Sequence, residues 1–200
     1  MERRQPRKGS EMLNKEINYI VSGLERSGTS LMMQVLHAGG LPVAFDDSRA
    51  ADENNPRGYY ELEGGKIINC LMDGTFDLQS YKGHIIKVTA YGLKFLPKSN
   101  YKIIYMMRDI GEVLKSMQKM GADINEEKDR TLFSKLNSIS FELMRSRDDM
   151  EFIEVNYRDL IDDPRTGMEG VGRFIGETVD VDTAIKAVEP GLYRNKARGV

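Results

Sequence analysis

Cysteine is almost absent: Cys70 is the only one in 200 residues, so no intrachain disulfide and no cysteine-rich metal site can form. A reducing compartment suits that usage, and the cytoplasm is the expected location. Histidine is nearly as scarce, with two. His37 and His84 stand apart, without the paired spacing of a metal-binding helix, and no metal is expected. Long apolar runs are missing, since none approaches the roughly 18–20 residues that span a bilayer. No transmembrane segment is therefore expected. Charge of one sign is not in excess either, because Lys and Arg number 29 against 31 Asp and Glu, for a net charge of −2. The molecule as a whole has no electrostatic reason to seek nucleic acid or an anionic membrane, and any anion site must be built locally. The basic N-terminus, Met1 to Ser10, is not followed by an apolar stretch of signal-peptide type. Residues 1–15 are expected to form a flexible tail, and residues 16–200 a single domain around one core.

What is present is an alternation of short apolar runs with longer helix-like segments. Ile17 to Val21 is β-branched and aromatic and ends at Ser22-Gly23, which predicts a strand. From Thr29 to Ala38, Leu31, Met32, Val35 and Leu36 recur at helical spacing until Gly39-Gly40. Leu41 to Arg57 reads as a long polar loop, and Tyr59 to Met72 as a helix weakened by Gly64-Gly65. Further strands are expected at His84 to Val88, Tyr101 to Met107 and Phe152 to Val155. Further helices are expected at Ile110 to Met120, Lys128 to Arg147, Pro164 to Ile175 and Asp180 to Val188. Strands alternating with helices imply parallel pairing through right-handed crossovers, so the fold class is α/β.

Two stretches carry chemistry. Gly23-Leu-Glu-Arg-Ser-Gly28-Thr29-Ser30 lies between the first strand and the first helix, with the spacing of the Gly-x4-Gly-Lys-Ser/Thr nucleotide loop. Glycines let the backbone fold so tightly that several N–H groups point at one anion, and the helix N-terminus adds partial positive charge. Ser27, Thr29 and Ser30 add hydroxyls. Thr29 stands where that loop carries lysine, and the cation has moved to Arg26, whose guanidinium can hold a phosphate with two donors. The second stretch is Arg108, ending a strand, with Ser116 eight residues on along the next helix. A guanidinium at the C-terminal end of a strand lies where open α/β sheets bind ligands, and a second anion of the same ligand could sit there.

Val21-Ser-Gly-Leu-Glu-Arg-Ser-Gly-Thr-Ser30 resembles the 5'-phosphosulfate loop of the PAPS-dependent sulfotransferases, in their bacterial form. The Arg108/Ser116 spacing is similar to their 3'-phosphate site. Val155-Asn-Tyr-Arg-Asp-Leu-Ile-Asp-Asp-Pro164 with Gly170 to Gly176 resembles the strand, turn and helix near the family's C-terminus. The resemblance implies a three-layer P-loop nucleotide-binding fold, with a small central parallel sheet flanked by helices. It implies 3'-phosphoadenosine-5'-phosphosulfate (PAPS) as sulfuryl donor and a hydroxyl or amine acceptor. Arg26 would contact the bridging oxygen of the leaving phosphate, Ser27, Gly28, Thr29 and Ser30 would hold the 5'-phosphate, and Arg108 and Ser116 the 3'-phosphate. Arg194, in a basic segment after Pro190-Gly191, would close over the 3'-phosphate.

An acceptor also needs a general base. Many relatives place a histidine after a Lys-Thr pair on the second strand, but this chain reads Lys87-Val88-Thr89 there. Other relatives use an acid in the loop after the first helix; here that loop offers Asp46, Asp47, Asp52 and Glu53, followed by Glu61, and the favoured catalytic candidates are Asp47 or Glu61. Glu25 is expected to point away from the anion. Two other readings share the cradle: a P-loop kinase for a small molecule, for which Asp109 is the nearest magnesium ligand, and a non-catalytic nucleotide-binding protein. The acceptor's identity and the oligomeric state are not written in the sequence.

Overall fold

A computed structural model of the chain describes residues 13–46, 52, 55, 57–177 and 179–188. At its centre four strands run parallel, β1 (Asn18–Gly23), β2 (Ile85–Lys87), β3 (Tyr101–Met107) and β4 (Met150–Asn156), in the order β2-β1-β3-β4. The inner strands are apolar on both sides because helices cover both faces. On one face Tyr19, Val21 and Ile104 meet α1 (Thr29–Ala38), α5 (Tyr157–Asp162), α6 (Pro164–Ile175) and α7 (Val181–Ile185). On the other, Ile20, Ile103 and Tyr105 meet α2 (Ile67–Met72) and α4 (Glu126–Ser146), with α3 (Ile110–Lys119) packed beside α4. This is the expected α/β fold: a small parallel sheet between two helical layers. Leu13 is buried in the first of these cores, ahead of β1.

The strand order positions a site. From β1 the chain crosses to β2 on one side, and from β3 it crosses to β4 on the other. The crevice between the C-terminal ends of β1 and β3 is thus a topological switch point, where such sheets bind ligands. In register, Gly23 sits beside Met106, so the loop after β1 and the turn after β3 leave the sheet side by side.

One expected element differs. Tyr59 to Met72 is not a continuous helix: residues 59–61 lie outside any helix, Glu63–Gly65 makes a single 3-10 turn, and only Ile67–Met72 is α-helical. Tyr60, Glu63, Gly64 and Gly65 all have positive φ, a backbone state that interrupts a right-handed helix. A six-residue helix, α5, follows β4 directly because the Asn156 side chain accepts the Arg158 N–H and caps it. α4 begins two residues before the expected start, under an Asn125 cap.

Between the 96–99 turn and the entry to β4, Arg147 binds Asp149 at 2.6 and 2.9 Å and donates to the carbonyls of Leu96 and Pro97, while Asp149 accepts the Ser99 N–H. The Arg147 hydrogen bond holds the Asp149 carboxyl well below the ordinary aspartate value of 3.8. A folded-state pKa below the unfolded one adds stability above the unfolded value, and that stability is lost as the pH falls. Asp149→Asn should therefore cost about 1.5–3 kcal/mol at pH 7, the range for hydrogen bonds to charged groups. In urea titrations the gap to the wild type should close progressively below pH 3.8, since the wild type loses what the variant never had. A gap of the same size at pH 7 and pH 2 would contradict this reading.

Candidate active site

The loop after β1 is shaped by close approach. Gly23 has φ +142, and a Cβ there would lie 2.6 Å from the Met106 carbonyl. Gly28 has φ +104, and a Cβ there would lie 2.3 Å from the Tyr157 ring. Neither position admits a side chain. Ser27 is buried and its hydroxyl donates to the Leu24 carbonyl at 2.7 Å, so it closes the turn from within. Thr29 and Ser30 open α1, whose first-turn N–H groups have no partner within the helix and suit an anion. Arg26 adopts φ +64, the left-handed region that an arginine enters at a cost of roughly 1–2 kcal/mol.

That strained residue joins the two motifs. The Arg26 Nε–H donates to the Ser116 hydroxyl of α3 at 3.1 Å, across ninety residues of sequence. Arg108, just past β3, donates to the Arg26 carbonyl at 3.1 Å and so holds the loop from below. Its guanidinium also pairs with Glu112 at 3.1 Å and lies 4.3 Å from the Tyr157 ring centroid. Both members of that ion pair are nearly excluded from water, at 8% and 3% exposure, so each depends on the other to offset its desolvation. Burial pushes the Tyr157 phenol above its ordinary pKa, and Arg108 opposes part of that shift. Asp109 uses its carboxylate to cap α3 by accepting the Glu112 N–H at 3.0 Å.

A cavity of about 320 Å³ opens beside this junction. Its lining includes the polar Arg26, Thr29, Ser30, Lys87 and Thr89 and the apolar Ile67, Ile68, Met117 and Met120. Lys87 ends β2, and its ammonium donates to Glu61 Oε1 at 2.9 Å, to the Ser30 hydroxyl at 3.3 Å and to the Tyr59 carbonyl. A strand-end lysine thus links the phosphate loop to the segment that carries Glu61. Gly65 crowds the same carboxylate, since a Cβ there would lie 2.7 Å from Glu61 Oε2. Upstream of Glu61 the chain is tied back to α1 by Gln34, which donates to Asn55 Oδ1 and to the Gly58 carbonyl.

The sulfotransferase domain model matches residues 16–195. The chain belongs to the sulfotransferase family. As a sulfotransferase it is an enzyme, and its fold is shared with a solved sulfotransferase domain. The sulfotransferase domain from the Synechococcus PCC 7002 olefin synthase is 16% identical, with a TM-score of 0.56 over 96% of this chain and 92% of that one. A sulfotransferase domain from the curacin biosynthetic pathway is 13% identical, with a TM-score of 0.48 over 95% of this chain and 80% of that one. Retinol dehydratase, solved with androsterone and the inactive cofactor PAP, is 14% identical, with a TM-score of 0.42 over 88% and 64%. No curated protein sequence gives a significant match.

Of the residues expected from sequence, Arg26, Ser27, Gly28, Thr29, Ser30, Arg108 and Ser116 converge on the switch point, and Glu61 faces the adjoining cavity. Asp47 and Arg194 lie outside the described residues. Glu25 is exposed and is among the residues that line the cavity. Lys87 is the site residue that motif reading passed over; its signal was a lysine ending an apolar strand. Among the described residues no group of three His, Cys, Asp or Glu side chains is placed to hold a metal ion, and no helix is long and apolar enough to cross a membrane.

Proposed function

We propose that this sulfotransferase takes its sulfuryl group from PAPS and transfers it to a hydroxyl or amine. The observation that carries the proposal is the Arg26–Ser116 hydrogen bond, which brings two anion-binding stretches together at one switch point. A nucleotide with phosphate at both its 5' and 3' ends fits two such stretches. In this reading the Gly28, Thr29 and Ser30 amides and hydroxyls hold the 5'-phosphate, with Ser27 shaping their turn. Arg108 and Ser116 hold the 3'-phosphate, and Arg194 covers it. The single cysteine suits the cytoplasm as the place of work.

The reaction is an in-line displacement. The acceptor oxygen or nitrogen forms a bond to sulfur while the bond from sulfur to the bridging phosphate oxygen breaks. The electron pair stays on that oxygen, where Arg26 meets the growing charge. The acceptor's proton passes to a carboxylate, Glu61 or Asp47, of which Glu61 faces the cavity. Lys87, beside Ser30 and Glu61, is placed to stabilise sulfuryl oxygens as they move between the two sides. The products are the sulfated acceptor and adenosine 3',5'-bisphosphate.

Incubation with isotope-labelled PAPS and a panel of alcohols, phenols, sugars and amines, read by mass spectrometry, tests the reading. Label should appear in an acceptor in the absence of added magnesium; label remaining wholly in the donor across the panel counts against it. The 3'-phosphate site has its own check. Arg108→Ala should weaken bisphosphate binding by about 1.5–3 kcal/mol and Ser116→Ala by about 1 kcal/mol. Adenosine 5'-phosphosulfate, which lacks the 3'-phosphate, should bind both variants as it binds the wild type. Equal losses for both nucleotides would remove the 3'-phosphate assignment.

A further inference from the structure

Tyr60 takes φ +55, a backbone state that residues other than glycine rarely hold and that persists where the surroundings impose it. Two rings close on it. Phe45 lies 4.4 Å from the Tyr60 ring, centroid to centroid, and His37 of α1 lies 5.7 Å away at 71°. The Tyr60 hydroxyl and His37 Nδ1 share a hydrogen bond of 3.1 Å. The Asp46 N–H adds a backbone tie, donating to the Glu61 carbonyl at 2.9 Å. So held, Tyr60 packs against the core on the α1 face of the sheet, while its neighbours Tyr59 and Glu61 both line the cavity. Rotation about the Tyr60 N–Cα bond sets the Tyr59 carbonyl relative to Glu61. At the observed φ both reach one cation, since the Lys87 ammonium donates to the Tyr59 carbonyl and to Glu61 Oε1. Lys87 is only 5% exposed, so its charge depends on such acceptors.

We infer that Tyr60 is a positioning residue: its ring, clasped by Phe45 and His37, holds the turn that sets Glu61 against Lys87. Its part in catalysis rests on Glu61 as the acceptor's base, as under the proposed function; the turn itself does not. A base must sit within hydrogen-bond reach of the proton it takes, and a misplacement of about 1 Å can cost roughly a hundredfold in rate. Tyr60 thus acts through Glu61 and Lys87, without itself meeting donor or acceptor.

The test reads Lys87 directly. The full chain is pulse-labelled with acetic anhydride, and the acetylation of each lysine is followed by mass spectrometry. Lys102, whose ammonium donates to the Phe174 carbonyl at 2.7 Å, is the internal control. In Tyr60→Ala the Lys87 rate should rise at least about fivefold, the worth of two ring contacts of this kind, while the Lys102 rate stays as it was. Tyr60→Phe keeps the ring and should stay close to the wild type. Tyr60→Gly should protect Lys87 better than Tyr60→Ala despite being smaller, because glycine enters positive φ without steric cost. If Tyr60→Ala does not fold, Phe45→Leu loosens the same clasp from its other side and should raise the Lys87 rate in the same way. With an acceptor that takes label from PAPS, Tyr60→Ala should lower kcat by roughly 10–100-fold and leave bisphosphate affinity nearly intact. Normal turnover in Glu61→Gln would sink the base reading alone, since the acetylation rates need no acceptor and still decide the turn. Lys87 as protected in Tyr60→Ala as in the wild type, Tyr60→Gly no better than Tyr60→Ala, or Lys102 released together with Lys87 would overturn the inference. So would an unchanged kcat in Tyr60→Ala where Glu61→Gln is slow.

Discussion

Arg26→Ala should slow turnover by about 100–1000-fold, the usual effect of removing one donor that faces charge developing in the transition state. Its effect on the donor KM should be much smaller, because an interaction that strengthens as the S–O bond breaks acts on kcat more than on binding. The structure supplies a control. Arg26 sits at φ +64, so alanine keeps the backbone strain while losing the cation. Glycine loses the cation and also relieves the strain. Arg26→Gly should therefore be as slow as Arg26→Ala without sharing its strain, and Arg26→Lys should recover part of the rate. If glycine restored turnover, the arginine's contribution would be to loop geometry and not to the leaving group.

Glu61→Gln should cost roughly 100–10,000-fold in turnover, the range for general base catalysis, and leave bisphosphate affinity nearly intact. A base acts on the acceptor, not on the donor. The ion pair with Lys87 complicates the experiment, since removing the carboxylate charge leaves a buried ammonium with one strong partner fewer. Lys87→Met separates the two effects. It removes the cation but leaves the carboxylate, so it should raise the donor KM as well as lower kcat, because Lys87 also touches Ser30. Asp47→Asn is the companion experiment, and only one of the two carboxylates should prove essential. Normal turnover in both variants, Asp47→Asn and Glu61→Gln, would mean that the acceptor arrives already ionised or that the base is elsewhere.

The phosphate loop and the Arg108/Ser116 pair, proposed to hold the donor, were legible in the sequence as local motifs, and Glu61 was a candidate there, but the conformation of its segment was not legible. Local rules govern the phosphate loop: strand, glycine-bounded turn and helix lie in one short stretch, and Gly23 and Gly28 have backbone states that demand glycine. Arg108 and Ser116 could be read from their spacing on one strand and the next helix. Their meeting with Arg26 depends on β1 lying beside β3, which only the assembled sheet provides. The segment that carries Glu61 has a conformation that runs against local propensity. Tyr60 and Glu63 take positive φ without being glycine, which broke the expected helix and turned Glu61 toward Lys87. Lys87 gave a signal, a charged residue ending a buried strand, but its partners come from two distant segments.

The central claim is that the crevice between β1 and β3 holds a nucleotide phosphorylated at both ends. Calorimetric titration of the purified chain with adenosine 3',5'-bisphosphate and with ATP, each with and without magnesium, tests it most directly. The bisphosphate should bind much more tightly than ATP and should do so without magnesium, because the proposed site gives each phosphate its own anion-binding stretch and Thr29 stands where a nucleoside-triphosphate loop carries lysine. Tight, magnesium-dependent ATP binding with no binding of the bisphosphate would contradict the claim and return the site to the kinase reading.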